Sequence, residues 1–155
     1  MTDKHLLVVY HSQTGGTQAM LDAVLAGAND PLIENVSIRS ATAIAASADD
    51  IRWADALILG TPENFGYMSG ALKYFFDRIY YEVLEETQGL PYGLFVKAGN
   101  DGSGALTSIE RIITGLRWRE VVPAVLCIGD LTTKHLEQCS ELGGTIAAGL
   151  EAGLF

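Results

Sequence analysis

LVVYHSQTGGTQAM, residues 7–20, is an apolar run that breaks into a hydroxyl- and glycine-rich turn and then into a helical pattern. The run Leu6 to Tyr10 reads as a buried strand. Met20, Leu21, Val24 and Leu25 then share one face of a helix over about Thr17–Ala28. Between them stand Ser12, Gln13, Thr14, Gly15, Gly16 and Thr17. Glycines let backbone N–H groups turn inward, hydroxyls add donors, and a helix N-terminus carries partial positive charge, so this turn suits a phosphate. The turn holds no Lys or Arg, which argues against a triphosphate P-loop of the G-x-x-x-x-G-K-[ST] type. A phosphate held without a cation suggests one terminal phosphomonoester on a larger cofactor. The alternative is a capped helix after a buried strand, because Ser, Thr and Gly are common in any such turn.

The same alternation continues along the chain. Apolar, β-rich runs recur at Leu6–Tyr10, Leu32–Ile38, Ala54–Gly60, Tyr92–Ala98 and Val121–Gly129. Near-continuous apolar strands such as VVPAVLCIG suit a sheet covered on both faces. A weak Ala-rich stretch with Asp49, Asp50, Ile51 and Trp53 precedes the third strand. Leu72, Phe75, Phe76 and Ile79 mark a helix over about Ser69–Tyr81. Leu106, Ile109, Ile112, Ile113 and Leu116 mark another, and Leu136, Cys139, Leu142, Ile146 and Leu150 a last one. Strands alternating with helices give an α/β fold, a parallel sheet with helices on both faces. The 155 residues suit one domain, 1–155.

Composition narrows the partners. The formal net charge is −9, which disfavours nucleic acid. No apolar run approaches the roughly 20 residues of a membrane helix. Lys4 followed by a short strand shows no signal-peptide pattern, and the expected home is the cytosol. Cys127 and Cys139 read as small buried residues, and His5, His11 and His135 lack a metal-binding spacing, so no metal is expected.

An open parallel sheet binds ligands beyond the carboxyl ends of its strands, at a switch point. Three unusual loops fall there. The first is Ser12–Thr17. The second follows strand three, where Pro62, Glu63, Asn64, Phe65, Gly66 and Tyr67 combine a stiff exit, polar edges and aromatic faces. The third follows strand four as Gly99, Asn100, Asp101, Gly102, Ser103 and Gly104. A GxGxxG dinucleotide fingerprint is absent.

These loops resemble those of the flavodoxin-like FMN-binding proteins. Ser12-Gln13-Thr14-Gly15-Gly16-Thr17 is similar to their S/T-x-T-G-x-T phosphate loop. Pro62 through Gly70, with Leu72-Lys73 and Phe76-Asp77-Arg78 after it, resembles the isoalloxazine loop of NAD(P)H-dependent FMN reductases and Trp-repressor-binding-type quinone reductases. Residues 97–104 resemble the third, glycine-rich flavin loop. The resemblance covers nearly the whole chain and implies a three-layer fold with a five-stranded parallel sheet in the order 2-1-3-4-5. It implies FMN as cofactor, held by Ser12–Thr17, Pro62–Tyr67 and Gly99–Gly102. N–H groups of Thr14–Thr17 and the hydroxyls of Ser12, Thr14 and Thr17 would take the phosphate. N–H groups near Asn64–Gly66 and Gly99–Asn100 would take the ring's pyrimidine edge and N5.

The implied activity is electron transfer from NAD(P)H, as co-substrate, to a quinone or similar small acceptor. The alternative is an FMN electron carrier docking onto a redox partner protein. A phosphoacceptor receiver domain ranks last, because Tyr10-His11-Ser12 stands where acidic residues would be needed. Two departures separate the first readings. Electron carriers place an aromatic in the third loop, and residues 98–104, AGNDGSG, have none. Quinone reductases carry insertions, and this chain is compact.

Individual residues keep two readings each. His11 is a phosphate or quinone partner, or a polar strand end. Phe65 and Tyr67 stack on the flavin or its partner, or close the core. Glu63 faces substrate or solvent. Asp101 and Ser103 belong to the flavin loop or cap the helix that follows, with the cap favoured for Ser103. Lys73 and Arg78 read as a solvated helix face. Tyr80, Tyr81 and Val83 form a homo-oligomer surface or the edge of the core. No protein nucleophile or acid–base pair is expected.

Overall fold

The computed structural model describes residues 3–155. The elements run β1 (Lys4–Tyr10), α1 (Gly16–Ala28), β2 (Val36–Thr42), α2 (Ala48–Trp53), β3 (Ala56–Asn64), β4 (Tyr67–Met68), α3 (Gly70–Val83), β5 (Pro91–Ala98), α4 (Ser103–Leu116), β6 (Arg119–Glu120), β7 (Val125–Ile128) and α5 (Thr133–Glu151). The parallel strands lie in the order β2-β1-β3-β5, with β6 and β7 both beside β5. Read as two halves of one strand, β6 and β7 complete the expected order 2-1-3-4-5.

Side-chain alternation along each strand splits the core into two layers. Leu6 and Val8 of β1, Ala56 and Ile58 of β3 and Phe95 of β5 pack with Met20, Leu21 and Val24 of α1 and Cys139, Leu142 and Ile146 of α5. Leu7, Val9, Leu57, Leu59 and Leu94 point the other way, onto Phe75, Phe76 and Ile79 of α3, Ile109 and Ile113 of α4 and Ile51 of α2. On the first face α1 and α5 touch through their backbones. A methyl at Gly27 would overlap the Ser140 carbonyl, and one at Gly143 the Val24 carbonyl.

The structure corrects three of the expected strands. Leu32 and Ile33 lie outside β2. Asp30 accepts the Leu32 N–H at 2.9 Å on its side chain and the Ile33 N–H at 2.9 Å on its carbonyl, which folds 30–33 into a turn and leaves Leu32 87% exposed. Pairing with β1 therefore begins only at Val36. The third strand starts at Ala56 and runs past Gly60 to Asn64. The last expected strand breaks in two around Val122–Ala124, where Pro123 has no N–H to give a ladder. The Ala-rich stretch also contains a short helix, α2, closed by a reciprocal Ser47–Asp50 capping box.

Arg78 is likewise not a solvated residue. Its Nη1 donates to the Ala46 carbonyl at 2.8 Å and its Nη2 to those of Ala43 and Ile44 at 2.7 and 3.2 Å, clamping the β2–α2 turn onto α3. Lys73 stays on the surface, paired with Asp77 at 2.6 Å, and that hydrogen bond raises its pKa. Val83 is core and Tyr80 packs against it, while Tyr81 is exposed.

Candidate functional site

The ends of β1, β3 and β5 bring the three loops together. The first begins at His11, whose N–H donates to the Gly60 carbonyl at 3.0 Å. Ser12 is half-buried, and Gln13, Thr14 and Gly15 are exposed. Gly15 has φ 94°, a left-handed conformation that lets the chain enter α1 with its first N–H groups pointing outward. No side chain caps these N–H groups, and the first turn holds no acid. The imidazole Nδ1 of His11 is buried and has no hydrogen-bond partner. An uncapped helix start, in a loop that opens at a residue with an orphaned ring nitrogen, fits an anionic group such as a phosphate. Thr17 is buried inside the first turn, unlike Thr14.

The second loop is mostly not a loop. Pro62 lies within β3, and the chain turns at Phe65-Gly66 and returns as β4, with Asn64 opposite Tyr67 and Glu63 opposite Met68. Phe65 and Gly66 have φ of 54° and 69°, the two positive values of a type I′ hairpin turn. Two buried hydroxyls fix its base. Thr61 Oγ1 accepts the Ser69 N–H at 3.0 Å, and Ser69 Oγ accepts the Leu72 N–H at 3.2 Å, capping α3. Asn64 Nδ2 donates to Gln13 Oε1 at 2.8 Å and joins the hairpin to the first loop. Phe65 is fully exposed at the tip, so it does not close the core, and Tyr67 is half-buried.

The third loop is locked to that hairpin. Glu63 is half-buried and turned toward the start of α4. Its Oε1 accepts the Gly102 N–H at 3.1 Å and its Oε2 the Ala105 N–H at 3.0 Å. It thereby caps α4 from 39 residues away, placing a carboxylate on the positive end of the helix. This overturns the cap expected of Ser103, whose hydroxyl bonds the Asp101 carboxylate instead. The Met68 N–H donates to Ser108 Oγ at 3.1 Å. A methyl at Gly104 would overlap the Gly66 carbonyl, so the two backbones are in contact. Gly99, Asn100 and Asp101 remain exposed, with Gly102 buried behind them at φ 80°.

One residue of the stretch 97–104 reaches the first loop in a way the sequence does not show. Lys97 shares a face of β5 with Phe95, and its stem lies along Gly16, its Cε 3.2 Å from where a Gly16 Cβ would stand. The first loop contains no cation, but a strand two positions across the sheet brings one to it. Only the register of β5 reveals this; sequence spacing does not.

The cysteines are inert by contrast. Burial pushes the Cys139 thiol up to about 12, and burial also raises Cys127, against a lowering by Lys97. Both stay protonated near neutrality. Among the described residues no cluster of His, Cys, Asp and Glu is placed to hold a metal, and no helix is long and apolar enough to cross a membrane. A cavity of about 480 Å³ lies at the opposite, amino-terminal end of the strands, among Arg52, Asp55, Glu86 and Arg119. It is remote from all three loops, and parallel sheets place their ligands at the other end.

A family model for NADPH-dependent FMN reductase matches residues 21–130. The match takes in the second and third loops and begins after the first. A flavodoxin of Aquifex aeolicus (strain VF5) is 32% identical over 111 residues, 72% of this chain. The aligned part spans 59% of that relative, about three fifths of its length. Among solved structures, a flavodoxin from the domain Archaea superposes with a TM-score of 0.80 at 23% identity, covering 95% of this chain and 99% of the other. A flavodoxin, WrbA-like protein from Agrobacterium tumefaciens gives 0.76 at 22% identity, covering 97% and 99%. The fold is therefore the flavodoxin-like one, with its fifth strand broken in two.

Proposed function

We propose, from the premise that the chain belongs to the NADPH-dependent FMN reductase family, that it is an FMN-dependent oxidoreductase moving electrons from NAD(P)H to a quinone or similar small acceptor. The observation that carries this reading is the rigid hairpin locked to α4, beside a third loop that is exposed at 99–101 and has no aromatic. When bound, FMN supplies the two-electron redox chemistry.

The chain's own part is binding and orientation. The N–H groups opening α1, with the hydroxyls of Ser12 and Thr14, hold the phosphate. Each hydrogen bond to a charged acceptor contributes roughly 1.5–3 kcal/mol, so a few retain the cofactor. Backbone N–H groups of the Asn64–Gly66 turn and of Gly99–Asn100 orient the ring. Because Glu63, Met68 and Gly104 fix the hairpin to α4, these donors are set before the cofactor arrives, which lowers the ordering cost of binding. Residues 98–104 put no ring over the site, which leaves room for a flat second substrate.

A second reading follows from the Aquifex relative, whose name is flavodoxin. In it the chain carries electrons to a redox partner protein and takes none from a nicotinamide. Anaerobic stopped-flow separates the two. Mixing FMN-loaded protein with NADPH or NADH should bleach the flavin band within seconds, and a small quinone should restore it. No bleaching by either nicotinamide, with ready reduction by a reductase protein, selects the carrier.

A further inference from the structure

We infer that Lys97 supplies the positive charge of the phosphate subsite and is the residue by which this chain prefers a phosphorylated flavin to riboflavin. This rests on the FMN reading above and gives a phosphate role to Lys97, the first residue of the stretch 97–104.

The start of α1 holds an electrostatic conflict. The start of α1 carries the positive end of the helix dipole. Helix starts are normally relieved by a capping oxygen or an acidic side chain, and α1 has neither in its first turn. Instead the half-buried Lys97 runs alongside Gly16, its Cγ, Cδ and Cε at 3.3, 3.5 and 3.2 Å from the position a Gly16 Cβ would take. A cation near a helix N-terminus is repelled by it. The chain has 19 acidic residues against 10 basic ones. Yet the ion pairs among the described residues use Arg52, Lys73 and His5, and none engages Lys97. The buried, unpartnered Nδ1 of His11 stands at the start of the same loop.

The two neighbours of Lys97 across the sheet, Pro62 and Cys127, add no negative charge to it. Cys127 is protonated, its thiol raised by burial. The uncapped start of α1 and the Lys97 stem thus lie together, in a loop that opens at His11 with its unpartnered ring nitrogen. A phosphomonoester dianion bound there would answer both the helix start and the lysine charge. Gly16 is the residue that lets the Lys97 stem pass, since even a methyl there would press on it.

The test compares Lys97→Met with Lys97→Arg. Methionine keeps the unbranched stem against Gly16 and removes the charge; arginine keeps the charge. FMN and riboflavin are titrated by flavin fluorescence into flavin-free protein. Lys97→Met should weaken FMN by about 10- to 100-fold and riboflavin by less than about 2-fold, the range of one charge-assisted hydrogen bond. Lys97→Arg should keep most of the FMN affinity. Without flavin, Lys97→Met should melt no lower than the parent, because it removes a repulsion; with FMN it should melt lower. Equal losses for both flavins, or a lower flavin-free melting temperature, would mean a structural role and overturn the inference. Undiminished FMN affinity in Lys97→Met would overturn it too. A parent protein that binds both flavins equally would keep the ring site and remove the phosphate role of Lys97. A parent that binds neither would remove the proposed function itself and this inference with it.

Discussion

The carboxylate of Glu63, on β3, accepts the backbone N–H of Ala105, in the first turn of α4, at 3.0 Å across 42 residues of sequence. Its other oxygen holds Gly102. One side chain thus does two things. It satisfies two N–H groups, of Gly102 and Ala105, at the start of a helix whose own N-cap is a glycine, and it fixes the hairpin that follows it in the chain. The second and third loops become one rigid unit.

Glu63→Gln should therefore cost about 1–2 kcal/mol of stability, from a lost charge at a helix N-terminus and weakened hydrogen bonds. Urea unfolding should show a lower midpoint at unchanged slope. Flavin binding should weaken in parallel for FMN and riboflavin, because the hairpin serves the ring. That pattern is the opposite of the one expected for Lys97→Met. An unchanged unfolding midpoint would refute the cap.

Gly104 and Gly70 form a matched pair. A methyl at Gly104 would overlap the Gly66 carbonyl, and relief requires moving backbone. Gly104→Ala should destabilise by about 1–3 kcal/mol and push the hairpin off α4. Gly70, the first residue of α3, has nothing within 4 Å of an added Cβ. Gly70→Ala should be neutral or stabilise by about 0.4–1 kcal/mol, mainly through the unfolded chain. Thermal melts of the two variants side by side check the contrast, which disappears if the loops do not touch.

Much of this was legible in the sequence, for a physical reason. Strand one, the glycine turn and α1 are contiguous, and each uses a local rule: β-rich apolar residues, left-handed glycine, a 3.6-residue stripe. Leu72, Phe75, Phe76 and Ile79 declared α3 in the same way, and all four are buried. The parts that were not legible depend on distant residues. Nothing near Glu63 says that it caps a helix 39 residues on, and nothing near Gly16 says that Lys97 will lie against it. The start of β2 is not legible because Leu32 is apolar yet sits in a turn closed by Asp30. The hairpin does not announce itself in the sequence because its turn residue is Phe65, where Asn or Asp is the usual signal.

Alkaline pH should weaken the fold. Burial raises the Cys139 thiol from 9 to about 12, and burial followed by the charges of Glu120 and Glu110 raises the Tyr92 phenol from 10 to about 12. Both groups are neutral in the folded state at a pH where the unfolded chain has already ionised. Their contribution is complete below the unfolded pKa and is lost as pH climbs toward the folded one. Stability should thus start to fall near pH 9, with a second loss from near pH 10. Each group steepens the fall by about 1.4 kcal/mol per pH unit. Cys139→Ala should flatten the first part of the curve and Tyr92→Phe the second, whatever their effects at neutral pH. Urea midpoints from pH 7 to 11 give the curves, and parallel curves for parent and variants would refute the assignment.

Phe65 sets stability against function. It occupies the first central position of a type I′ turn at φ 54°, a conformation that costs a bulky residue energy and suits Asn or Gly. Its ring is fully exposed and makes no contribution to the core. A residue that is wrong for its turn and unused in packing points to a contact made outside the fold. Under the proposed function, that something is the flavin ring or the acceptor stacked beside it. Phe65→Asn should accordingly raise stability by about 0.5–1 kcal/mol, through relief of the turn. It should also reduce the catalytic efficiency with an aromatic quinone by about 5- to 10-fold, the loss of one stacking contact of about 1–1.5 kcal/mol. Phe65→Tyr should keep the activity and the lower stability, separating the aromatic face from the turn. A Phe65→Asn variant that is more stable and equally active would leave the ring without a role at the site. A variant that is less stable would show that Phe65 packs after all, and the trade-off would not exist.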